Sequence, residues 1–124
     1  MKRFIFLLRP SIKPLTAEQI EQRTKQWRLL IYELNTQGKL VAWQVFENEG
    51  AKVFGADRRI VDDHPVVENN ESAGGVITIN AKSFAEAIEL SKLCPVLDYG
   101  GSVEVRPLQP LHNNLNINQK DNKS

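Results

Sequence analysis

The sequence predicts an α+β fold with the element order β-α-β-β-α-β. Three observations carry the prediction. Two segments show a helix-opening signature followed by apolar residues at helical spacing, one starting at Thr16 and one at Ser83. Four short runs rich in branched and aromatic residues flank them: "RFIFLLRP", "KLVAWQVF", "VITIN" and "GSVEVRP". Glycine, proline and Asn-rich stretches separate these runs, as turns and loops require.

The first strand, residues 3–10, is stopped by Pro10. Phe4, Phe6 and Leu8 lie on one face, and Ile5 and Leu7 lie on the other. A strand with one wet face would alternate apolar with polar residues, so this one is expected to be covered on both sides. A capping box at Thr16 and Gln19 opens the first helix, over about 17–36. Ile20, Thr24, Trp27, Leu30, Ile31 and Leu34 form its inner stripe, and Gly38 supplies a left-handed closing residue.

Residues 39–46 form the second strand, and 51–62 return as a hairpin kinked near Gly55. Breaker-rich residues 63–75 read as a loop, followed by a strand over 76–80. Ser83 with Glu86 opens the second helix, whose inner side takes Phe84, Ala87, Ile88 and Leu90 or Ser91 and which ends at Pro95. A last strand ends at Pro107. Residues 1–110 are therefore expected to form one domain, with 111–124 a polar tail.

This order is the split β-α-β pattern of a ferredoxin-like fold. Two helices cover only one face of such a sheet. The doubly apolar first strand then calls for a second sheet, which predicts a homodimer with sheets packed face to face.

Composition narrows the function. The chain has 124 residues, of which 41% are hydrophobic and 25% charged, with a net charge of +1. Basic and acidic residues are mixed along it, which disfavours nucleic acid as the main partner while leaving room for a small anion. The single cysteine, Cys94, allows no disulfide within the chain, and the apolar run "FIFLL" is too short to span a membrane. A cytoplasmic protein without a membrane partner is the expectation.

Several residues are candidates for chemistry. On the last strand Ser102, Glu104 and Arg106 share the face opposite Val103 and Val105. Placed on the second sheet face, these charges must pair or line a wet cavity, and Arg9 is positioned to join them. The arginines could grip a carboxylate or phosphate, or the cluster could be a structural ion pair at the dimer seam. Asp63 and His64 are candidate acid and base, with Asp62 as another possible orienting carboxylate; the alternative is an exposed turn. Glu68 and Glu71 add carboxylates to the same loop. Trp27 or Trp43 would supply an apolar wall, though Trp27 fits the buried stripe and reads first as core.

Cys94 ends a helix, where a thiol is not activated, and reads as a buried small hydrophobe. His112 falls in the tail, no Cys/His spacing suggests zinc, and no cofactor is expected. Gly74-Gly75 lacks the lysine and following helix of a phosphate loop.

In order, "FIFLLRP", "GKLV", "DDHPVVE", "ESAGGVITINAKSFAEAIELSKLCP" and "GGSVEVRPL" resemble the YCII-related family, in its Asp-Gly-Pro-Phe motif branch, over about residues 2–108. The resemblance implies a ferredoxin-like dimeric α/β barrel. Most members have no assigned activity, a shorter branch is suspected of catalysis through a His–Asp pair, and a related protein acts in breakdown of a chlorinated aromatic. Some members occur alongside sigma factors. Carried over, the motif aspartate falls on Asp63, its proline on Pro65 and the following glutamate on Glu68. The strand-end arginine falls on Arg9, and the closing Glu-Val-Arg-Pro on Glu104 to Pro107. His64 stands where the family has glycine and Val66 where it has phenylalanine. The first helix holds neither His nor Asp, so the shorter branch's pair is not reproduced there.

Together these readings make the protein a homodimer binding a small anionic or aromatic metabolite between the sheet and the 63–75 loop, with Arg9, Trp27, Glu68, Glu104 and Arg106 as contacts. Asp63 and His64 would carry any acid/base step. The alternative is a non-catalytic interaction or regulatory module.

Overall fold

The computed structural model describes residues 1–47, 49–61, 67–68 and 71–110. Its main sheet has four strands: β1 (Lys2–Arg9), β2 (Leu40–Val45), β7 (Gly75–Ala81) and β8 (Ser102–Pro107). They lie in the order β2-β7-β1-β8, and every neighbouring pair is antiparallel. This is the ferredoxin-like arrangement: β1 and β2 are joined through α1 (Ala17–Thr36) with β7 inserted between them, and β7 and β8 are joined through α2 (Phe84–Ser91) with β1 between them.

Both helices start as their sequences dictate. The Thr16 hydroxyl accepts from the Gln19 amide at 3.1 Å, and the Gln19 side chain accepts from the Thr16 amide at 2.9 Å. At the other end of α1, Gly38 adopts φ +72, which a residue with a Cβ rarely adopts. The Lys39 and Gly38 amides then reach back to the carbonyls of Leu34 and Asn35. In α2 the Ser83 hydroxyl accepts from the Glu86 amide at 3.1 Å, but the Glu86 carboxylate accepts from Lys82 rather than Ser83, at 2.7 Å. That bond, helped by Lys39 and opposed by partial desolvation, holds the Glu86 carboxyl below its ordinary range.

Strand alternation divides the sheet into two faces. Phe4, Phe6, Leu8, Ile77 and Ile79 point toward the helices and are buried. With Leu30, Leu34, Ala87, Cys94 and Val96 they form the core. Phe84, expected inside, is 47% exposed and stacks on Phe4 with ring centroids 6.1 Å apart. It sits in the first turn of α2, at the rim of the packed layer; Ala87 and Ser91 are the residues of that helix that are buried.

Three smaller elements complete the described residues. The return segment after β2 does not join the main sheet: β3 (Lys52–Phe54) and β4 (Arg59–Val61) form their own two-stranded ribbon. Within the stretch expected to be loop, β5 (Val67–Glu68) pairs with β6 (Glu71–Ser72). A 3-10 helix, Pro95–Tyr99, follows α2, and its Tyr99 hydroxyl reaches the Gln26 side chain of α1 at 3.3 Å. No helix among the described residues is long and apolar enough to cross a membrane.

Candidate functional site

The 20-residue α1 is longer than the core it covers. Its buried residues, Leu30 and Leu34, both lie in its C-terminal half. The N-terminal half has no buried side chain, and Ile20, expected in the inner stripe, is 45% exposed. Between the middle of the helix and the sheet lies a cavity of about 410 Å³.

Its walls come from several elements. Arg23, Thr24, Trp27 and Arg28 descend from α1, Leu8 and Pro10 from the end of β1, and Trp43 and Val45 from β2. Gly74, just before β7, and Val96 of the 3-10 helix complete the lining. Trp27 and Trp43 stack with centroids 6.0 Å apart and planes 23° from parallel. Gly74 is dictated by closeness: a Cβ there would stand 2.5 Å from Pro10 Cδ. The main chain holds this corner through the Gly74 amide donating to the Leu8 carbonyl at 2.8 Å and the Phe46 amide donating to the Gly74 carbonyl at 2.9 Å.

Charge at the cavity is one-sided. Arg23 is half-buried and Arg28 exposed, and neither guanidinium makes a hydrogen bond or ion pair with another described residue. The described lining residues include no carboxylate. Two guanidiniums therefore border an otherwise mostly apolar pocket.

The opposite face of the sheet carries the other charged group. Leu7 pairs in register with Glu104, Ile5 with Arg106 and Arg9 with Ser102, so these side chains share the face away from the helices. Arg106 Nε donates to Glu104 Oε2 at 2.6 Å, and Arg9 Nη2 lies 3.6 Å from Glu104 Oε1. The Arg106 hydrogen bond, reinforced by its charge and more weakly by Arg9, holds the Glu104 carboxyl below its ordinary range.

The structure thus brings Arg9, Glu104 and Arg106 together, and separately brings Trp27 and Trp43 together, with the sheet between the two groups. Asp63 and His64 lie outside the described residues, as do Asp62, Pro65 and His112; Glu68 and Glu71 are described only as strand backbone. Cys94 is 1% exposed, and burial pushes its thiol up to about 12, so it is inert at neutral pH. Among the described residues no group of three or more His, Cys, Asp or Glu is gathered where it could hold a metal ion.

Arg23, Thr24 and Arg28 were not candidates from sequence, since charges on a helix usually mark a solvated face. For Arg23 and Thr24 the spacing held a signal, since they stand four and three residues before Trp27 and share its side of the helix; Arg28 stands four residues after Thr24.

No curated protein matches the chain. Among solved structures it is similar to 5-chloro-2-hydroxyhydroquinone dehydrochlorinase from Burkholderia phenoliruptrix AC1100, determined in complex with 2,5-dihydroxybenzoquinone. Identity is 12% and the TM-score 0.44, with 86% of this chain and 93% of that chain covered. The family model of the YCII-related domain matches residues 6–112, and with that span of the sequence accounted for, the chain belongs to the YCII-related family.

Proposed function

We propose that the protein is a homodimer that binds a small aromatic molecule in the cavity beneath the middle of α1. The observation that carries the reading is the cavity itself: about 410 Å³, with two stacked indoles in its wall. That volume falls within the usual size of small-molecule sites, which are mostly apolar with a few polar groups to fix orientation. Indole surfaces favour planar rings, which stack with an offset on them. Gly74, from the end of the 63–75 segment, contributes to the lining.

The dimer is supported by the other face. Ile5, Leu7 and Val76 point away from the helices and are only half-buried within one chain. A second copy laid sheet to sheet would remove them from water. The ion cluster of Arg9, Glu104 and Arg106 would then sit at the seam, with the one Glu104 carboxylate shared by two guanidiniums.

Native mass spectrometry of the protein as purified tests both parts. The expected species is a dimer carrying a retained small molecule, and Thr24→Phe, which places a ring in the cavity, should release that extra mass without dissociating the dimer. A monomer would overturn the dimer. Extra mass that survives Thr24→Phe would place the ligand elsewhere.

A further inference from the structure

The two sets of arginines differ in one respect that bears on the ligand. Arg9 and Arg106 are both engaged by Glu104. Arg23 and Arg28 border the cavity with no hydrogen-bonding or ionic partner among the described residues. Guanidinium groups beside an apolar pocket with no carboxylate among its described lining residues make the local potential positive, and the low-dielectric wall strengthens that field. We propose that the cavity selects aromatic acids: the ring lies against the Trp27–Trp43 pair, and the carboxylate is held at the mouth by Arg23 and Arg28.

The assignment rests on the reading of the cavity as an aromatic-ligand site and adds the charge of the ligand to it. Three features favour an aromatic carboxylate. The indole pair offers flat π surface, which suits a ring better than a flexible chain. Guanidinium geometry matches a planar carboxylate through two parallel N–H···O bonds. The burial gradient also fits, because Trp27 packs against the core while Arg28 is exposed. A ligand apolar at one end and anionic at the other would place each end in its matching environment.

The test uses a matched pair of probes on the full chain, 2-naphthoate and its neutral isostere 2-naphthamide, with octanoate as a non-aromatic acid. Binding is followed by calorimetry and by quenching of tryptophan fluorescence. A charge-assisted contact to arginine predicts that 2-naphthoate binds about tenfold or more tighter than 2-naphthamide. That advantage should shrink with added salt and vanish in the double variant Arg23→Gln/Arg28→Gln. Arg23→Lys/Arg28→Lys should retain part of it, since the charge stays while the planar fork is lost. Both arginines lack a structural partner among the described residues, so the double Gln variant should keep the wild-type melting temperature.

Equal binding of the acid and the amide would overturn the selection for acids and leave the aromatic cavity standing. Octanoate binding as tightly as 2-naphthoate would overturn the requirement for a ring. Failure of both naphthalene probes would overturn the cavity reading and this inference together. Unchanged 2-naphthoate affinity in Trp43→Ala would place the acid away from the indole pair and overturn the assignment.

Discussion

On the covered face of the sheet Phe6, Ile77 and Ile79 are sealed from water by the two helices. One residue away in the same strands, Leu7, Val76 and Thr78 face the other side and are half-buried. The covered face closes its core within one chain, then leaves a cavity where α1 outruns the core. Among the described residues no helix lies over the open face, which carries an apolar strip beside the Arg9–Glu104–Arg106 cluster. One alternating pattern therefore produces two surfaces with different needs: the covered face holds the candidate ligand site, and the open face is suited to a second copy. Arg9 and Arg106 share the Glu104 carboxylate on the open face, while the Arg23 and Arg28 side chains at the cavity have no partner among the described residues.

The largest expected effect comes from cutting into the covered face. Phe6→Ala removes a fully buried ring and should destabilise the fold by about 3–5 kcal/mol in denaturant unfolding. Leu7→Ala, next to it on the open face, separates two cases. If a second copy covers that face, wild-type stability rises with protein concentration and Leu7→Ala weakens the dependence. If stability is independent of concentration and Leu7→Ala has little effect, the open face is solvent-facing and the dimer is excluded.

Cys94 probes how dry the covered side is. Its thiol titrates at about 12 in the fold, against an ordinary value of 9.0. A raised value means the folded state keeps its proton after the unfolded chain has lost it. The contribution is therefore complete below pH 9 and lost as pH rises toward 12, with a slope of about 1.4 kcal/mol per pH unit at most. Cys94→Ala should remove that part of the alkaline loss. A wild-type thiol that reacts with a disulfide reagent as fast in the native state as in denaturant would show that the site is not dry.

Much of the frame is legible in the sequence because it is local. The caps at Thr16 and Ser83 and the left-handed Gly38 each depend on residues within one turn. Period-two alternation put Glu104 and Arg106 on one face, and the structure places them there together with Arg9. The cavity was less legible because it depends on where α1 lies along the sheet. Whether Arg23 and Arg28 face solvent or a pocket follows from that placement and not from their own neighbours. The 51–62 segment shows the same limit. Its hairpin was visible, but its separation from the main sheet is set by which strand occupies the place beside β2, and that strand is β7.

A smaller effect is expected at the start of α1, which precedes the stretch that roofs the cavity and lies away from the core. Thr16→Ala removes one half of the capping box and should cost about 1 kcal/mol. Amide exchange should quicken mainly in the first turns, while the Leu30–Leu34 region stays protected. Uniform quickening along the helix would mean that its two halves unfold as one unit, and the contrast between roof and core would fail.

The smallest effect should come from Glu104→Gln, and it sharpens the description of the open face. The folded carboxyl titrates below its ordinary range, chiefly because of Arg106. A depressed value contributes stability that is complete above the unfolded carboxyl's pKa and is lost as pH falls through the folded one. Glu104→Gln should therefore melt slightly below wild type at neutral pH, and the two should converge in acid. Salt then tells which environment the cluster occupies. The Arg106 side chain is 70% exposed in the single chain, so added salt should erase the neutral-pH difference if the face is open to water. A difference that persists in high salt would mean that the cluster is covered, and a second copy on the sheet is what would cover it.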